Sequence, residues 1–284
     1  MQQILSETGT FLLGLKRCNS DFLAIPTQFS EYTVVYVPKG KGVFSADFGT
    51  FPFTGPVLLF STPLQTLQLE TSEYEISVLQ FHSDFYCIEY HREEVACNGL
   101  LFNNIYIDPV IALTKEEAVF IEQLFENITH ECAQSEVSEI VLRSYLQLFL
   151  AKSTTIKRRL MANAEKTEPK DELMERFRQL IDEHYLNLHK PNDYAELLAV
   201  SPNTLTKRST KYFKKPPTHI ITERLILEAK KQLHLTRKSI KEIAFALNFQ
   251  DEFYFSRVFK KFTNVSPQAF RDKTGISIVA DLYR

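Results

Sequence analysis

Cysteine and glycine are both scarce in this chain of 284 residues, with four of the first and eight of the second. The four thiols, Cys18, Cys87, Cys97 and Cys132, form no C-x-x-C pair, and their spacing suggests no disulfide framework. Reduced thiols in a cytoplasmic protein are therefore expected. No glycine-rich phosphate loop and no G-x-S-x-G elbow is present. Uncharged apolar runs near the start are short. The longest, around Phe11 to Leu15, is too brief for a secretion signal or a membrane span, so no membrane partner is expected. Histidine is missing from 43–69, where a barrel metalloenzyme would need several. His82, Cys87, His91 and Cys97 lie close in sequence, but spacings of five, four and six fit no compact zinc pattern. No metal, no cofactor and no enzyme chemistry is expected.

What is present is an ordinary globular composition, 44% hydrophobic and 24% charged. The length suits two domains. The net charge of -2 hides an asymmetry. Residues 1–169 hold 12 Lys and Arg against 21 Asp and Glu, whereas residues 170–284 hold 21 against 14. The excess is sharpest over 204–273, with 16 basic residues against six acidic ones. An acidic half followed by a basic half suits a chain whose second half meets a polyanion.

The first ~100 residues read as β structure. Tyr32 to Val37 is rich in β-branched and aromatic residues, and Pro38-Lys-Gly-Lys-Gly42 reads as a turn. Val43 to Phe53 alternates, and Val57 to Phe60 and Tyr74 to Phe81 read as further strands. Short strands between Gly/Pro turns predict a sandwich or small barrel. Helical periodicity follows Asp108-Pro109. Thr114 and Glu117 fit a capping box, with Phe120, Ile121, Leu124, Phe125 and Ile128 on one face of the helix after it. A second helix is expected from about Glu136 to Met161. Its stripe holds Ile140, Val141, Tyr145, Leu148 and Phe149, and Lys157-Arg-Arg159 suits the negative end of its dipole. Polar Asn163 to Lys170, which contains Pro169, reads as a linker. Two domains, 1–162 and 171–284, are thus expected around 163–170. The second opens with a helix whose stripe is Phe177, Leu180, Ile181 and Tyr185.

An internal repeat organises that second domain. Ser201-Pro-Asn-Thr-Leu-Thr-Lys207 aligns with Asp251-Glu-Phe-Tyr-Phe-Ser-Arg257 at an offset of 50. Each copy starts on a favoured N-cap, and Pro202 stands where a missing N–H costs nothing. A short helix precedes each cap, containing Tyr194-Ala195 in one copy and Ile243-Ala244 in the other. This is the helix-turn-helix pattern written twice. From about Pro216 to Leu235 one amphipathic helix joins the copies, with Ile220, Ile221, Leu225, Ala229 and Leu233 along one side. Some 20 residues at a rise of 1.5 Å span about 30 Å, close to the ~34 Å turn of B-DNA. Two recognition helices held that far apart fit successive major grooves.

Periodicity separates the faces of each recognition helix. In the second, Phe255, Val258, Phe259 and Phe262 point inward, which leaves Glu252, Phe253, Ser256, Arg257, Lys260 and Lys261 as candidate DNA contacts. In the first, Asn203, Thr204, Thr206, Lys207, Thr210 and Lys211 are the counterparts. Asn pairs with adenine, Arg or Lys with guanine, and Phe or a Thr methyl with the thymine methyl. Lys211, Lys214, Lys215, Lys260 and Lys261 are better placed for phosphates.

Ser239-Ile-Lys-Glu-Ile-Ala-Phe-Ala-Leu-Asn-Phe-Gln-Asp-Glu-Phe-Tyr-Phe-Ser-Arg-Val-Phe-Lys-Lys-Phe262, followed by Val265-Ser-Pro267 and Phe270-Arg271, resembles the signature of AraC/XylS-type transcription regulators. Arg224, Leu225 and Ala229 resemble that family's linking helix, and the likeness runs from about Lys190 to Arg271. It implies an α+β chain: a cupin-like β-barrel or sandwich with two helices for sensing and dimerisation, then an all-α domain with two helix-turn-helix units. It further implies an activator that binds double-stranded promoter DNA, contacts RNA polymerase, responds to a small-molecule effector and forms a homodimer through its N-terminal domain. Gly40-Lys-Gly42 and Phe81-His-Ser-Asp-Phe85 support the cupin-like part. The family's usual glycines are replaced by Asn248 and Asn264, which tolerate a left-handed backbone. In the first unit Ser209 replaces a phenylalanine and Lys214 a glycine, so that unit is expected to pack less tightly. Two rival readings of the chain are a ligand-binding protein with a helical protein-docking module, and a metalloenzyme on the N-terminal barrel.

Overall fold

The computed structural model describes residues 2–6, 9–47, 49–72, 75–86, 88, 99–167 and 171–276. The chain divides into two compact units, Met1–Met161 and Ala162–Arg284. In the first, β1 (Gln2–Leu5), β2 (Phe11–Asn19), β9 (Glu75–Phe81), β4 (Tyr32–Val37), β7 (Val57–Ser61) and β10 (Val110–Ala112) form a six-stranded antiparallel sheet in that order. A second antiparallel sheet has the order β3 (Thr27–Gln28), β8 (Thr66–Thr71), β5 (Lys41–Ala46), β6 (Gly49–Thr54). Alternation along β4 explains the layering. Tyr32, Val34 and Tyr36 join a core shared with two helices, while Val35 and Val37 join the core shared with the smaller sheet. β4 is therefore buried on both faces, as its unbroken apolar run requires.

The alternating run Val43 to Phe53 is not one strand. It folds back at Asp47, whose φ of 49° makes a left-handed turn, and Ala46 pairs with Gly49. Asp47 Oδ1 also accepts the Thr66 N–H at 2.9 Å, which ties the turn to β8. Gly42 allows β5 and β8 to meet: a Cβ there would lie 2.2 Å from the Glu70 carbonyl oxygen. Tyr74 lies outside the described residues, as do Cys87, His91 and Cys97. His82 accepts the Asp84 N–H on Nδ1 at 3.2 Å. Among the described residues no group of three or more His, Cys, Asp or Glu is placed to hold a metal.

Two helices cover the larger sheet. α1 (Lys115–Cys132) starts at the expected capping box: Thr114 Oγ1 accepts the Glu117 N–H at 3.2 Å, and Glu117 accepts the Thr114 N–H at 2.9 Å. Ile121, Leu124, Phe125 and Ile128 are buried and Phe120 partly so, as the periodicity predicts. Tyr36 donates to Glu122 at 2.7 Å and fixes α1 against β4.

α2 (Glu139–Thr167) departs from expectation in two ways. Its buried stripe is Leu142, Leu146, Phe149, Leu150 and Ile156; Ile140 is 78% exposed, and Val141 and Leu148 also face outward. The helix is apolar around most of its circumference here, so spacing alone does not choose the face. It also runs past Met161 to Thr167, because Ala162-Asn-Ala-Glu-Lys contains good helix formers and the stop comes only near Pro169. Lys157 is consequently mid-helix and does not sit at the dipole end. It is buried, donates to the carbonyls of Asp108 at 2.6 Å and Val110 at 2.9 Å, and pins α2 to β10. Burial, opposed by Asp108, draws its pKa down to about 8.

The second unit is all helix: α3 (Glu172–His184), α4 (Pro191–Leu197), α5 (Pro202–Phe213), α6 (Pro217–Leu235), α7 (Ile240–Ala246), α8 (Glu252–Thr263) and α9 (Pro267–Thr274). Ile220, Ile221, Leu225, Ala229 and Leu233 of α6 are buried, and α6 touches each of the other six helices. Phe177, Leu180 and Ile181 of α3 are buried, but Tyr185 is half-buried. The Arg224 guanidinium lies 3.8 Å above the Tyr185 ring and donates to Asp182 at 3.1 Å, which clamps α6 to α3. Arg271 does the same at the far end, donating to the carbonyls of Leu233 at 3.2 Å and Lys238 at 2.6 Å. No helix among the described residues is long and apolar enough to cross a membrane.

Candidate nucleic-acid interface

Each candidate recognition helix is set by its own cap. Ser201 Oγ accepts the Thr204 N–H at 3.1 Å at the start of α5. Asp251 accepts the N–H groups of Phe253 at 3.1 Å and Tyr254 at 2.9 Å at the start of α8. These bonds satisfy donors that a helix start leaves free and fix where the first exposed side chains stand. Before each cap the chain turns through a left-handed residue, Ala199 (φ 53°) in the first unit and Asn248 (φ 61°) in the second. After each helix it does so again, at Lys214 (φ 57°) and Asn264 (φ 61°). The two asparagines meet expectation, since their side chains tolerate this region.

Ala199 and Lys214 have less tolerance, and the larger cost falls on the first unit. Ala199→Gly and Lys214→Gly should each raise stability by about 0.5–1 kcal/mol, the relief of left-handed strain less the entropy glycine adds to the unfolded chain. Urea titration of the wild type and both variants checks this, and an unchanged or lowered midpoint contradicts it. Asn248→Gly and Asn264→Gly should gain less.

The structure places Asn203, Thr204, Thr206, Lys207, Thr210 and Lys211 on the exposed side of α5, with Leu205 and Ser209 buried beneath. Thr206 donates to the Pro202 carbonyl at 2.9 Å, so its hydroxyl proton is spent within the helix. On α8, Arg257, Lys260 and Lys261 are exposed and Phe253 is 71% exposed, while Glu252 and Ser256 are half-buried. Phe255 and Phe259 are buried, and Val258 and Phe262 half-buried. Tyr254, 55% exposed, shares this surface and was not among the residues singled out. Its repeat partner is Thr204, so the offset of 50 already pointed to it. Arg257 stands 5.9 Å from the Tyr254 ring.

One expected phosphate contact is engaged elsewhere. Lys215 is half-buried and its ammonium pairs with Glu223 at 2.8 Å, at the start of α6. Lys214 remains exposed, with Nζ donating to the Lys211 carbonyl at 2.9 Å. His219 lies 5.6 Å from the Phe262 ring; burial first, then Lys215 and Lys261, lowers its pKa.

Ser209, which was expected to loosen the first unit, has a compensating partner. In the second unit Phe259 is buried, and one turn later the Thr263 hydroxyl lies 2.9 Å from the Val265 carbonyl. In the first unit the order is reversed: Ser209 donates to the equivalent carbonyl, of Lys215, at 2.8 Å, and Phe213 supplies the ring, 6.5 Å from Phe177. Each unit thus holds one aromatic and one hydroxyl, a helical turn apart, with the same carbonyl satisfied.

Parts of this chain resemble known proteins. A family model described as a helix-turn-helix domain matches residues 194–273. The raffinose operon transcriptional regulatory protein RafR of Pediococcus pentosaceus is 30% identical over 93 residues, 33% of this chain and 29% of RafR. The chain's match therefore spans less than a third of that relative. The C-terminal domain of AraT, a response regulator from Geobacillus stearothermophilus, is 30% identical over 39% of this chain and 93% of that one, with a TM-score of 0.37. An apo form of ToxT from Vibrio cholerae strain SCE256 is 14% identical, covering 93% of this chain and 97% of its own, with a TM-score of 0.43. The helical unit carries a DNA-binding domain of the helix-turn-helix class. Its resemblance is to the AraC/XylS type of regulator.

Proposed function

We propose that this chain is a sequence-specific, effector-responsive transcription activator that lays α5 and α8 into successive major grooves of promoter DNA. The observation that carries the reading is the pair of capped helices, each with a polar and cationic outer face, mounted on one shared helix. RafR, by its name the regulator of a raffinose operon, is similar over 93 residues of this chain. Asn203, Thr204, Thr206 and Lys207 on α5, and Glu252, Phe253, Ser256 and Arg257 on α8, face base edges. Lys211, Lys260 and Lys261 face phosphates.

Lys207→Ala and Arg257→Ala should each weaken specific binding by about 1–3 kcal/mol, roughly 5- to 150-fold, if each reads a base. Gel-shift titration on an operator found by genome-wide mapping checks this. Unchanged affinity in both variants removes the proposed roles.

In this reading the first unit is a cupin-like sensor and dimerisation domain of a cytoplasmic protein, and RNA polymerase is the partner on DNA. The exposed Ile140, Val141 and Leu148 of α2 support a homodimer built on that helix. Sedimentation should show a dimer for the wild type and a monomer for Ile140→Glu; an identical mass for both sinks the assignment. A buried polar row between the sheets supports a small-molecule effector site there. Thr33, Ser61 and Gln80 are buried and lie in one register row, while the rest of that interior is packed with apolar side chains.

A further inference from the structure

Asp171 takes part in two contacts. Its Oδ1 accepts the Met174 N–H at 3.2 Å and so caps α3. Its two oxygens also accept both arms of Arg208 on α5, with Nε at 3.0 Å from Oδ2 and Nη2 on Oδ1. One turn further along both helices, Tyr212 donates to Glu175 Oε1 at 3.0 Å, while Arg178 holds Glu175 Oε2 at 2.7 Å. Two polar rungs therefore join the first recognition helix to α3. Burial would raise the Asp171 carboxyl, but the hydrogen bonds and charge of Arg208, together with the backbone N–H bonds of the cap, hold it below the usual carboxylate range. Burial and the bond to Glu175 push the Tyr212 hydroxyl up to about 12. Both rungs are thus in their bonded form at neutral pH.

The second recognition helix is mounted differently. At the equivalent positions α8 carries Val258 and Phe262, and Phe262 rests on the His219 ring of α6. A forked guanidinium on a carboxylate fixes direction as well as distance, which an apolar contact does not. The Asp171–Arg208 pair is partly open to solvent, with 23% and 44% of the side chains exposed, so it adds little to stability. Orientation is what it supplies.

We propose that Asp171 and Glu175 are positioning residues for the first recognition helix alone: through Arg208 and Tyr212 they set the direction of α5. The consequence for DNA rests on the function proposed above.

Asp171→Asn keeps a good cap and removes the charge; Arg208→Met keeps the stem and removes the fork. In the free protein, either variant should speed amide exchange over 202–213 about threefold, the size expected of a partly exposed ion pair, and leave 252–263 unchanged. The double variant should go no further than the singles. On DNA, either single variant should lose protection of one of two grooves, with affinity about tenfold lower. Unchanged exchange in α5, equal acceleration in α5 and α8, or additive effects would overturn the proposal. If the unmodified chain protects no duplex, the DNA-binding reading falls instead, and the exchange data alone decide the ladder.

Discussion

Replacing Phe259 by alanine is expected to cost the helical unit about 3–5 kcal/mol, the range for emptying a buried phenylalanine site. Phe259 is fully buried and links two further rings, Phe255 at 5.9 Å and Phe270 at 5.7 Å; Phe249 continues the chain 5.3 Å beyond Phe255. The cavity would therefore open between α8 and α9, beside the stiff rings of Phe255 and Phe270. For a unit of this size the midpoint of thermal unfolding should fall by about 10–20 °C. The repeat supplies an internal control. Ser209, at the same place in α5, is equally buried, but it fills little space and its value is one hydrogen bond to the Lys215 carbonyl. Ser209→Ala should cost about 1–3 kcal/mol, the desolvation of an acceptor left without its donor. Calorimetry on the two variants separates the mechanisms. Equal losses would mean that the two positions are not the transposed pair described above. A stronger test is the exchange itself: Ser209→Phe and Phe213→Thr should each destabilise, and the double variant should recover at least ~1 kcal/mol of the sum, because a ring and a hydroxyl in contact with shared neighbours do not act independently.

The parts of this molecule that could be read from sequence are those governed by local chemistry. Thr114 with Glu117, Ser201 with Pro202, and Asp251 are caps because their side chains bond to N–H groups two or three residues away, and all three cap as read. The stripe of α6 was legible because that helix is apolar along one side. α2 was not, because Leu142 and Leu146 compete with Ile140, Val141 and Leu148, and only the sheet beneath decides which set is covered. Tertiary partners also decided the fate of the charges. Lys157 and Lys215 look like any surface lysines in the sequence, yet one ends on two carbonyls of a distant segment and the other on Glu223 of the next helix. The turn at Asp47 was missed for a different reason: alternation continues through a tight hairpin, and Asp47-Phe-Gly49 carries only a weak turn signal. For the recognition helices, periodicity separates the outer faces, with Glu252 and Ser256 half-buried at the edge, and the offset of 50, applied at every position, adds Tyr254.

The largest effect expected on function is that of salt. α5 and α8 expose Lys207, Lys211, Arg257, Lys260 and Lys261, and Lys214 stands beside them. About six cations on phosphates or bases would release about six counterions, which gives a slope near -5 for log affinity against log salt. Affinity for duplex DNA should then fall about a thousandfold between 50 and 200 mM salt. Lys261→Gln should flatten that slope by about one and weaken all sequences alike, because a phosphate contact carries no sequence information. Arg257→Ala should instead compress the gap between operator and random duplex, since a guanidinium on a guanine edge is lost only where that guanine is present. Binding isotherms at four salt concentrations, on operator and on scrambled duplex, yield both quantities. A helical unit built to dock on another protein would show a shallow slope and no gap between the two duplexes, and that pair of results would remove the DNA-binding assignment altogether.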